Sequence, residues 1–142
     1  MKNYPRTTFF TVAFVGNADN LNVANLGIGK VEFLNFSWVK VFTATNDGSA
    51  GVKGFVVAPL DEEIVKLRQA GRGFELFTCG PDGQLKAVSD RALSLGVPGW
   101  ISVDRHMICG VGACFACIQK TVRGNSRCCI VGPVFRAEDL VW

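Results

Sequence analysis

The stretch Cys109-Gly-Val-Gly-Ala-Cys-Phe-Ala-Cys117 decides how the C-terminal part of this chain folds. Its cysteines follow the spacing Cys-x4-Cys-x2-Cys, and its glycine content disfavours a helix, so we expect a loop. The chain has six cysteines, of which Cys79 stands alone while five lie between residues 109 and 129. A disulfide scaffold would spread its cysteines to join distant segments. Clustering instead predicts a metal site in a reducing compartment.

Two short runs, Ile118–Val122 and Arg127–Val131, follow the loop and predict strands joined by a turn at residues 123–126. This hairpin returns the chain to the loop and brings Cys128 and Cys129 near the first three cysteines. Adjacent residues on a strand point to opposite faces, so only one of the two can be a ligand. The spacing alone leaves that choice open.

The spacing of the first three cysteines is the one that plant-type ferredoxins use for a [2Fe-2S] cluster. Four thiolates around two irons need a loop that wraps the cluster, and Gly110 and Gly112 let the backbone approach and turn N–H groups toward the sulfurs. The alternative is a zinc interaction module with four cysteine ligands. Structural zinc sites usually present two Cys-x2-Cys pairs, and here only Cys114 and Cys117 form one. The spacing therefore favours iron and sulfide over zinc.

The first 100 residues predict alternating strands and helices. Strands are expected at Thr8–Gly16, Trp38–Thr45 and Phe74–Thr78, whereas Leu21–Asn35 fits neither type. A helix is expected at Leu60–Ala70, with Asp61–Glu63 at its N-terminus and Gly71 as its stop. A second helix is expected after Cys79-Gly80-Pro81 and ends at Gly96; its apolar face consists of Leu85, Val88, Ala92 and Leu95. This alternation predicts an α/β fold with a parallel sheet and crossover helices. Ligands of such sheets gather beyond the carboxyl ends of the strands, where Asn46–Ser49 and Cys79–Pro81 lie. From spacing alone these two segments are equally explained as simple turns.

The composition argues against several other classes of protein. Hydrophobic residues make up 49% of the chain and charged residues 19%, which allows a packed core and argues against disorder. The net charge of +3, with scattered basic residues, gives no indication of nucleic-acid binding. Residues 9–15 loosely imitate a secretory signal, but their β-branched and aromatic content predicts a buried strand. We expect no membrane span and a cytoplasmic location.

Several motifs in one order resemble the electron-transfer subunit of the NAD-dependent type of dihydroorotate dehydrogenase. Ser102–Ile108 followed by Cys109–Cys117 resembles the family's iron–sulfur region, as does Cys129-Ile-Val-Gly-Pro-Val-Phe135. Ala44–Val56 and Phe77–Pro81 resemble its pyridine-nucleotide domain. The resemblance selects Cys129 over Cys128, so that the implied cluster ligands are Cys109, Cys114, Cys117 and Cys129.

The resemblance also implies how domains are arranged along the chain. Residues 1–100 would be a truncated, ferredoxin-reductase-like NAD-binding domain and residues 101–142 a [2Fe-2S] module. The implied nucleotide contacts are Asp47, Gly48, Ser49, Cys79, Gly80 and Pro81. The family's N-terminal flavin-binding barrel and Gly-rich turn are not recognised in the sequence, and Gly27-Ile28-Gly29 is no substitute for the turn. We therefore expect the back half of such a subunit, which by itself binds neither FAD nor NAD.

The implied function is an electron relay in pyrimidine biosynthesis. Single electrons would pass between a flavin-containing catalytic subunit and FAD, held by a separate flavin-binding chain, and then reduce NAD. We expect a hetero-oligomer and no complete catalytic site in this chain alone. Arg105 and His106 either tune the cluster, because nearby positive charge favours its reduced form, or are solvated polar residues without such a role. A related ferredoxin:NADP oxidoreductase or a sulfhydrogenase-type complex would use the same cluster with other partners.

Overall fold

The structure is a computed structural model and describes residues 11–12, 42, 44–49 and 51–142. The chain divides into two compact units, Met1–Phe14 with Ile64–Trp142, and Val15–Glu63. Within the described residues the elements, in chain order, are β1 (Thr11–Val12), β2 (Ala44–Thr45), β3 (Val52–Lys53), α1 (Val57–Gln69), β4 (Leu76–Cys79), α2 (Asp82–Leu95), β5 (Gly99–Ser102), β6 (Ile118–Thr121), β7 (Gly124–Arg127), α3 (Cys128–Val131), β8 (Val134–Arg136) and a 3-10 turn at Ala137–Asp139.

A four-stranded sheet in the order β1-β4-β5-β8 organises the unit that contains residues 64–142. Strands β1, β4 and β5 run parallel, and α2 connects β4 to β5 as a crossover helix. The predicted parallel sheet is confirmed for these strands. Strand β8 is an addition that the sequence did not predict: it runs antiparallel to β5, with Phe135 opposite Ile101. The residues that follow the cysteine loop therefore end on the same sheet as the parallel strands.

Helix α2 covers this sheet with the face that the sequence predicted. Leu85, Val88 and Ala92 are almost completely buried. The helix ends where Gly96 adopts a left-handed φ of 65°, and the N–H of Val97 returns to the carbonyl of Ala92 at 3.1 Å. The predicted stop at Gly96 is thereby confirmed, and the polypeptide enters β5 three residues later.

The start of β5 passes very close to α2. A Cβ added at Gly99 would lie 2.6 Å from the Cβ of Ala92 and 3.0 Å from that of Ala137. We expect Gly99→Ala to lower the free energy of unfolding by about 1–3 kcal/mol, because neither neighbour can rotate away. Gly83→Ala in α2 is the matched control: its Cβ meets nothing within 4 Å and should be neutral or stabilising. Urea unfolding of both variants tests this, and equal stabilities would contradict the close approach.

Helix α1 confirms the predicted helix but begins earlier than expected, at Val57 rather than Leu60. Pro59 is tolerated in the first turn, where backbone N–H groups have no helical partner. The acidic residues 61–63 consequently lie beyond the first turn instead of at the N-terminus. Gly71, with a φ of 65°, ends the helix as predicted: its N–H bonds to the carbonyl of Arg68, and the next N–H bonds to that of Leu67.

The unit formed by residues 15–63 is described only in part. Strands β2 and β3 pair in parallel, with Ala44 opposite Val52. Between them, the Asp47 carboxylate accepts hydrogen bonds from the Ser49 N–H at 3.0 Å and from its hydroxyl at 2.8 Å, which lowers the pKa of Asp47. Of the strand predicted at 38–45, Ala44–Thr45 is observed. Residues 21–35, and all of the first predicted strand except Thr11–Val12, lie outside the described residues.

The hairpin after the cysteine loop corrects the sequence-based prediction. Strands β6 and β7 pair antiparallel from Ile118 opposite Arg127 to Thr121 opposite Gly124, so the turn lies at residues 122–123 rather than 123–126. The second strand ends at Arg127, and Cys128–Val131 forms one helical turn instead of continuing the strand. The bond from the Gly132 N–H to the Cys128 carbonyl, at 3.0 Å, closes this turn.

Candidate iron–sulfur centre

The four cysteines implied as ligands form two pairs. Within the loop, the Cys114 thiol is near enough to Cys109 to lower the pKa of Cys109. Cys117 lies directly before β6, and the backbone N–H of Cys129 donates to its sulfur at 3.4 Å. Cys117 is buried, Cys109 and Cys129 are half-buried, and Cys114 is exposed. Cys109 and Cys114 thus form one pair within the loop, and Cys117 and Cys129 form a second pair where β6 begins and α3 follows β7.

The backbone of the loop lowers the pKa of Cys109 to about 6, chiefly through the N–H groups of Cys114 and Val111, with smaller effects from the Cys114 thiol and the Ala113 N–H. Glycines at 110 and 112, with left-handed φ of 67° and 78°, let the loop turn within a few residues. A sulfur surrounded by donors is stabilised as a thiolate, which is the form that binds metal.

Cys117 is stabilised as a thiolate from the other side. The N–H of Cys129 holds its pKa below the usual range, against the opposing effect of burial. Contact with the Cys117 thiol raises the pKa of Cys129 in turn. Two close sulfurs compete for the same negative charge, so a bound cation would relieve the competition.

Cys128 has a different environment from Cys129. Its side chain is completely buried, and burial raises its pKa. Its N–H donates to the carbonyl of Cys117 at 2.9 Å, which fastens α3 to the start of β6. The prediction of a strand at these two residues is wrong, because they lie in a helical turn. Cys128 nevertheless belongs to the core, and its neighbour faces the loop.

The Gly-Pro-Val-Phe segment fastens α3 to the sheet. A Cβ at Gly132 would lie 2.6 Å from Cε2 of Phe135 and 3.2 Å from the carbonyl oxygen of Cys128. Phe135 is buried and occupies the strand β8 that pairs with β5. The position of the helical turn, and with it the direction of Cys129, therefore depends on ring packing against a glycine.

Gly112 is the point where the loop touches α3. A Cβ there would meet Cγ1 of Ile130 at 2.8 Å, whereas a Cβ at Gly110 would meet nothing within 4 Å. Both glycines have a positive φ, so replacing either costs roughly 1–2 kcal/mol of backbone strain. Only at Gly112 is a collision added.

We expect Gly112→Ala to retain less iron after gel filtration than Gly110→Ala, because the collision pushes the loop away from α3. Adding Ile130→Ala to Gly112→Ala should restore iron retention to the Gly110→Ala level. Iron analysis of the three purified variants checks this. Equal retention in Gly112→Ala and Gly110→Ala would show that the contact with Ile130 is unimportant.

The implied nucleotide residues lie in both units. Asp47, Gly48 and Ser49 form the turn after β2, and Cys79, Gly80 and Pro81 connect β4 to α2. Gln84, which the sequence did not single out, shapes the second turn: its amide donates to the Cys79 carbonyl at 3.2 Å and to the Thr78 hydroxyl at 3.3 Å. The assignment of all six residues stays a prediction.

Two arginines lie near the cysteines, and the sequence indicated only the first of them, Arg105. Arg105 was expected to lie near the cluster; its guanidinium bonds to Asp82 and Gln119, both at 2.9 Å, and so joins α2 to β6. His106 is exposed. Arg127 was not singled out, because nothing in the spacing of cysteines indicates which arginine will reach the loop.

Across the described residues, no three His, Cys, Asp or Glu side chains converge on a single-ion site.

The chain is similar to known electron-transfer proteins. Residues 104–141 match the family model of the iron-sulfur cluster binding domain of dihydroorotate dehydrogenase B. The chain is 42% identical over 101 residues to the dihydroorotate dehydrogenase B (NAD(+)) electron transfer subunit of Clostridium perfringens (strain 13 / Type A), covering 71% of this chain and 38% of that one. For the subunit of Geobacillus thermodenitrificans (strain NG80-2), the identity is 33% over 136 residues, covering 84% and 49%.

The chain is also similar to a solved structure of an electron-transfer enzyme. The NADH-dependent reduced ferredoxin-NADP oxidoreductase, solved in connection with flavin-based electron bifurcation, superimposes with a TM-score of 0.58 at 32% identity. The similarity covers 71% of this chain and 35% of that one. Fold and site together define an α/β protein of the ferredoxin-reductase type with an iron–sulfur cluster binding domain.

More particularly, residues 104–141 belong to the family of cluster-binding domains of dihydroorotate dehydrogenase B, and the chain is homologous to the electron transfer subunits of that enzyme. It spans between 38% and 49% of the length of these two relatives. Within the described residues, no helix has the length and apolar character needed to cross a membrane.

Proposed function

We propose that the chain holds a [2Fe-2S] cluster through Cys109, Cys114, Cys117 and Cys129 and acts as an electron-transfer component of an NAD-linked dihydroorotate dehydrogenase. The observation that carries the proposal is the arrangement of the four sulfurs as two pairs, one within the loop and one between β6 and α3. Each iron of a two-iron cluster takes two protein thiolates. Two pairs therefore fit this cluster better than four sulfurs around one zinc.

The chain's own residues prepare the site for a negatively charged group. The N–H donors around Cys109 and Cys117 stabilise thiolates, and they would also offset the charge of a bound cluster, which is about −2 with four thiolates. The bound cluster supplies one-electron transfer. Cys114 is exposed at the loop, so the site lies at the surface, where a partner can approach it.

The proposed partners follow from the homologous subunits. We infer a flavin-containing catalytic subunit that oxidises dihydroorotate, FAD as the next electron carrier, and NAD as the final acceptor, in a cytoplasmic hetero-oligomer. Nucleotide contacts are proposed at Asp47, Gly48 and Ser49 and at Cys79, Gly80 and Pro81. The support for the second group is its place beyond the carboxyl end of β4 in a parallel sheet.

Anaerobic mixing tests the proposed partner. A dihydroorotate dehydrogenase catalytic subunit, reduced with dihydroorotate, should bleach the visible absorption of this chain within seconds. A variant with Cys117→Ala should show no such bleaching, since it holds no cluster. Failure of the unmodified chain to accept electrons, while it still accepts them from dithionite, would contradict the proposed partner.

A second partner is favoured by one observation, the likeness to the ferredoxin-NADP oxidoreductase structure. In the same experiment reduced ferredoxin takes the place of the catalytic subunit. Reduction by ferredoxin but not by the dihydroorotate-reduced subunit would support the alternative.

A further inference from the structure

Arg127 joins the two segments that carry the cysteines. It is the last residue of β7, directly before the helical turn with Cys129, and its side chain is half-buried. Its guanidinium donates to the carbonyl oxygen of Gly112 at 2.7 Å. The same group lies over the ring of Phe115, 5.0 Å from its centroid. One cation therefore holds the loop at two points, on either side of Cys114.

The bond to Gly112 fixes a peptide group inside the loop, between Cys109 and Cys114 in the chain. The carbonyl of Gly112 and the N–H of Ala113 belong to the same planar trans peptide, so they point in opposite directions. The carbonyl points to Arg127, so the N–H of Ala113 points away from the guanidinium. A guanidinium on the carbonyl both orients this peptide and polarises its N–H.

The contact with Phe115 holds an unusual backbone conformation. Phe115 has a φ of 58°, which residues other than glycine rarely adopt. Its ring is largely exposed, so burial in the core does not fix it. Arg127 covers one face of the ring, and a cation over an aromatic face is an attractive contact. Phe115 lies between Cys114 and Cys117, so its conformation sets the direction of both.

We propose that Arg127 is a positioning residue that holds the loop in the form that receives the cluster, and that its positive charge raises the reduction potential of the bound cluster. The proposal rests on the proposed function and deepens it. Reduction adds one negative charge, and a fixed positive charge nearby stabilises the reduced form. The guanidinium binds the loop at Gly112, between Cys109 and Cys114 in the chain, which places its charge on the segment that carries two of the proposed ligands.

Two substitutions separate the effect of the Arg127 charge from the effect of its planar shape. Arg127→Gln removes the charge but keeps an amide donor, and Arg127→Lys keeps the charge but loses the planar group that binds a carbonyl and covers a ring. Arg123→Gln is the matched control: it makes the same change in charge on the same hairpin, but Arg123 is exposed and paired with Asp139 at 3.0 Å. The reduction potential of the purified, cluster-containing chain is measured by dye-coupled titration, and iron retention by analysis after gel filtration.

For Arg127→Gln we expect the ratio of reduced to oxidised cluster at a given potential to fall about tenfold, a shift of about 59 mV for one electron. Arg123→Gln should change it less than twofold. Arg127→Lys should keep the potential near that of the unmodified chain and lose iron several times faster. Equal potentials in Arg127→Gln and Arg123→Gln, or equal iron retention in Arg127→Lys and the unmodified chain, would overturn the proposal.

The iron content and the one-electron couple of the unmodified chain show whether a negative result concerns Arg127 alone or the proposed function as well. If it contains two irons and shows a one-electron couple, unchanged variants overturn only the role of Arg127. If it contains no iron and sulfide, the proposed function fails, and the proposal for Arg127 fails with it.

Discussion

The Cys129→Ala variant is expected to purify without a stable cluster, whereas Cys128→Ala keeps it. Cys129 contacts Cys117 through both its N–H and its thiol. In the proposed cluster, removing its sulfur would leave one iron with a single protein thiolate. Cys128 is completely buried against the core, so its loss removes packing rather than a ligand. The two variants differ by one position in the same helical turn, which makes each the control for the other.

Iron, sulfide and visible absorption of both variants, purified anaerobically, measure the difference. Cys128→Ala should retain the absorption and lose about 1 kcal/mol of stability, as expected for a small buried side chain. Loss of the cluster in Cys128→Ala with retention in Cys129→Ala would reverse the assignment. Because Cys128 is adjacent to a proposed ligand, a change in band shape in its alanine variant is compatible with retention.

The second large effect is expected for Gly132→Ala. The added Cβ would lie 2.6 Å from Cε2 and 2.8 Å from Cζ of Phe135, and the ring is held between the helical turn and the sheet. The φ of Gly132 is −117°, so the cost arises from the collision rather than from a left-handed backbone. We expect a loss of about 2–3 kcal/mol in the free energy of unfolding, together with weaker iron retention, because α3 carries Cys129.

A double-mutant cycle with Phe135→Leu isolates the contact. Phe135→Leu alone should destabilise the chain by leaving space at β8. In combination, the smaller side chain makes room for the Cβ, so the loss in the double variant should be smaller than the sum of the two single losses. Urea unfolding measures the four stabilities. Strict additivity would mean that the glycine and the ring do not constrain each other.

Local patterns predicted the parts of the fold that depend on local physics. Helix α2 follows from the spacing of Leu85, Val88 and Ala92, and Gly96 ends it because a left-handed residue satisfies the last carbonyls. The loop with its three cysteines follows from its glycines. These features need no knowledge of distant residues, and the structure agrees with them.

The features that the sequence did not predict arise from tertiary contacts. Ile130 and Val131 have side chains typical of strands, yet they lie in a helical turn that Gly132 and Phe135 hold against the sheet. Strand β8 exists because β5 offers an edge. The reach of Arg127 to Gly112, across fifteen residues, depends on how the hairpin folds back. No spacing rule contains that information.

Elemental analysis of the anaerobically purified chain is the most direct test of the central claim, because it distinguishes a two-iron cluster from a single zinc. We predict about two irons and two acid-labile sulfides per chain, without zinc, as the composition of a [2Fe-2S] cluster requires. One zinc per chain with neither iron nor sulfide would contradict the claim, since it would assign the four sulfurs to a structural ion.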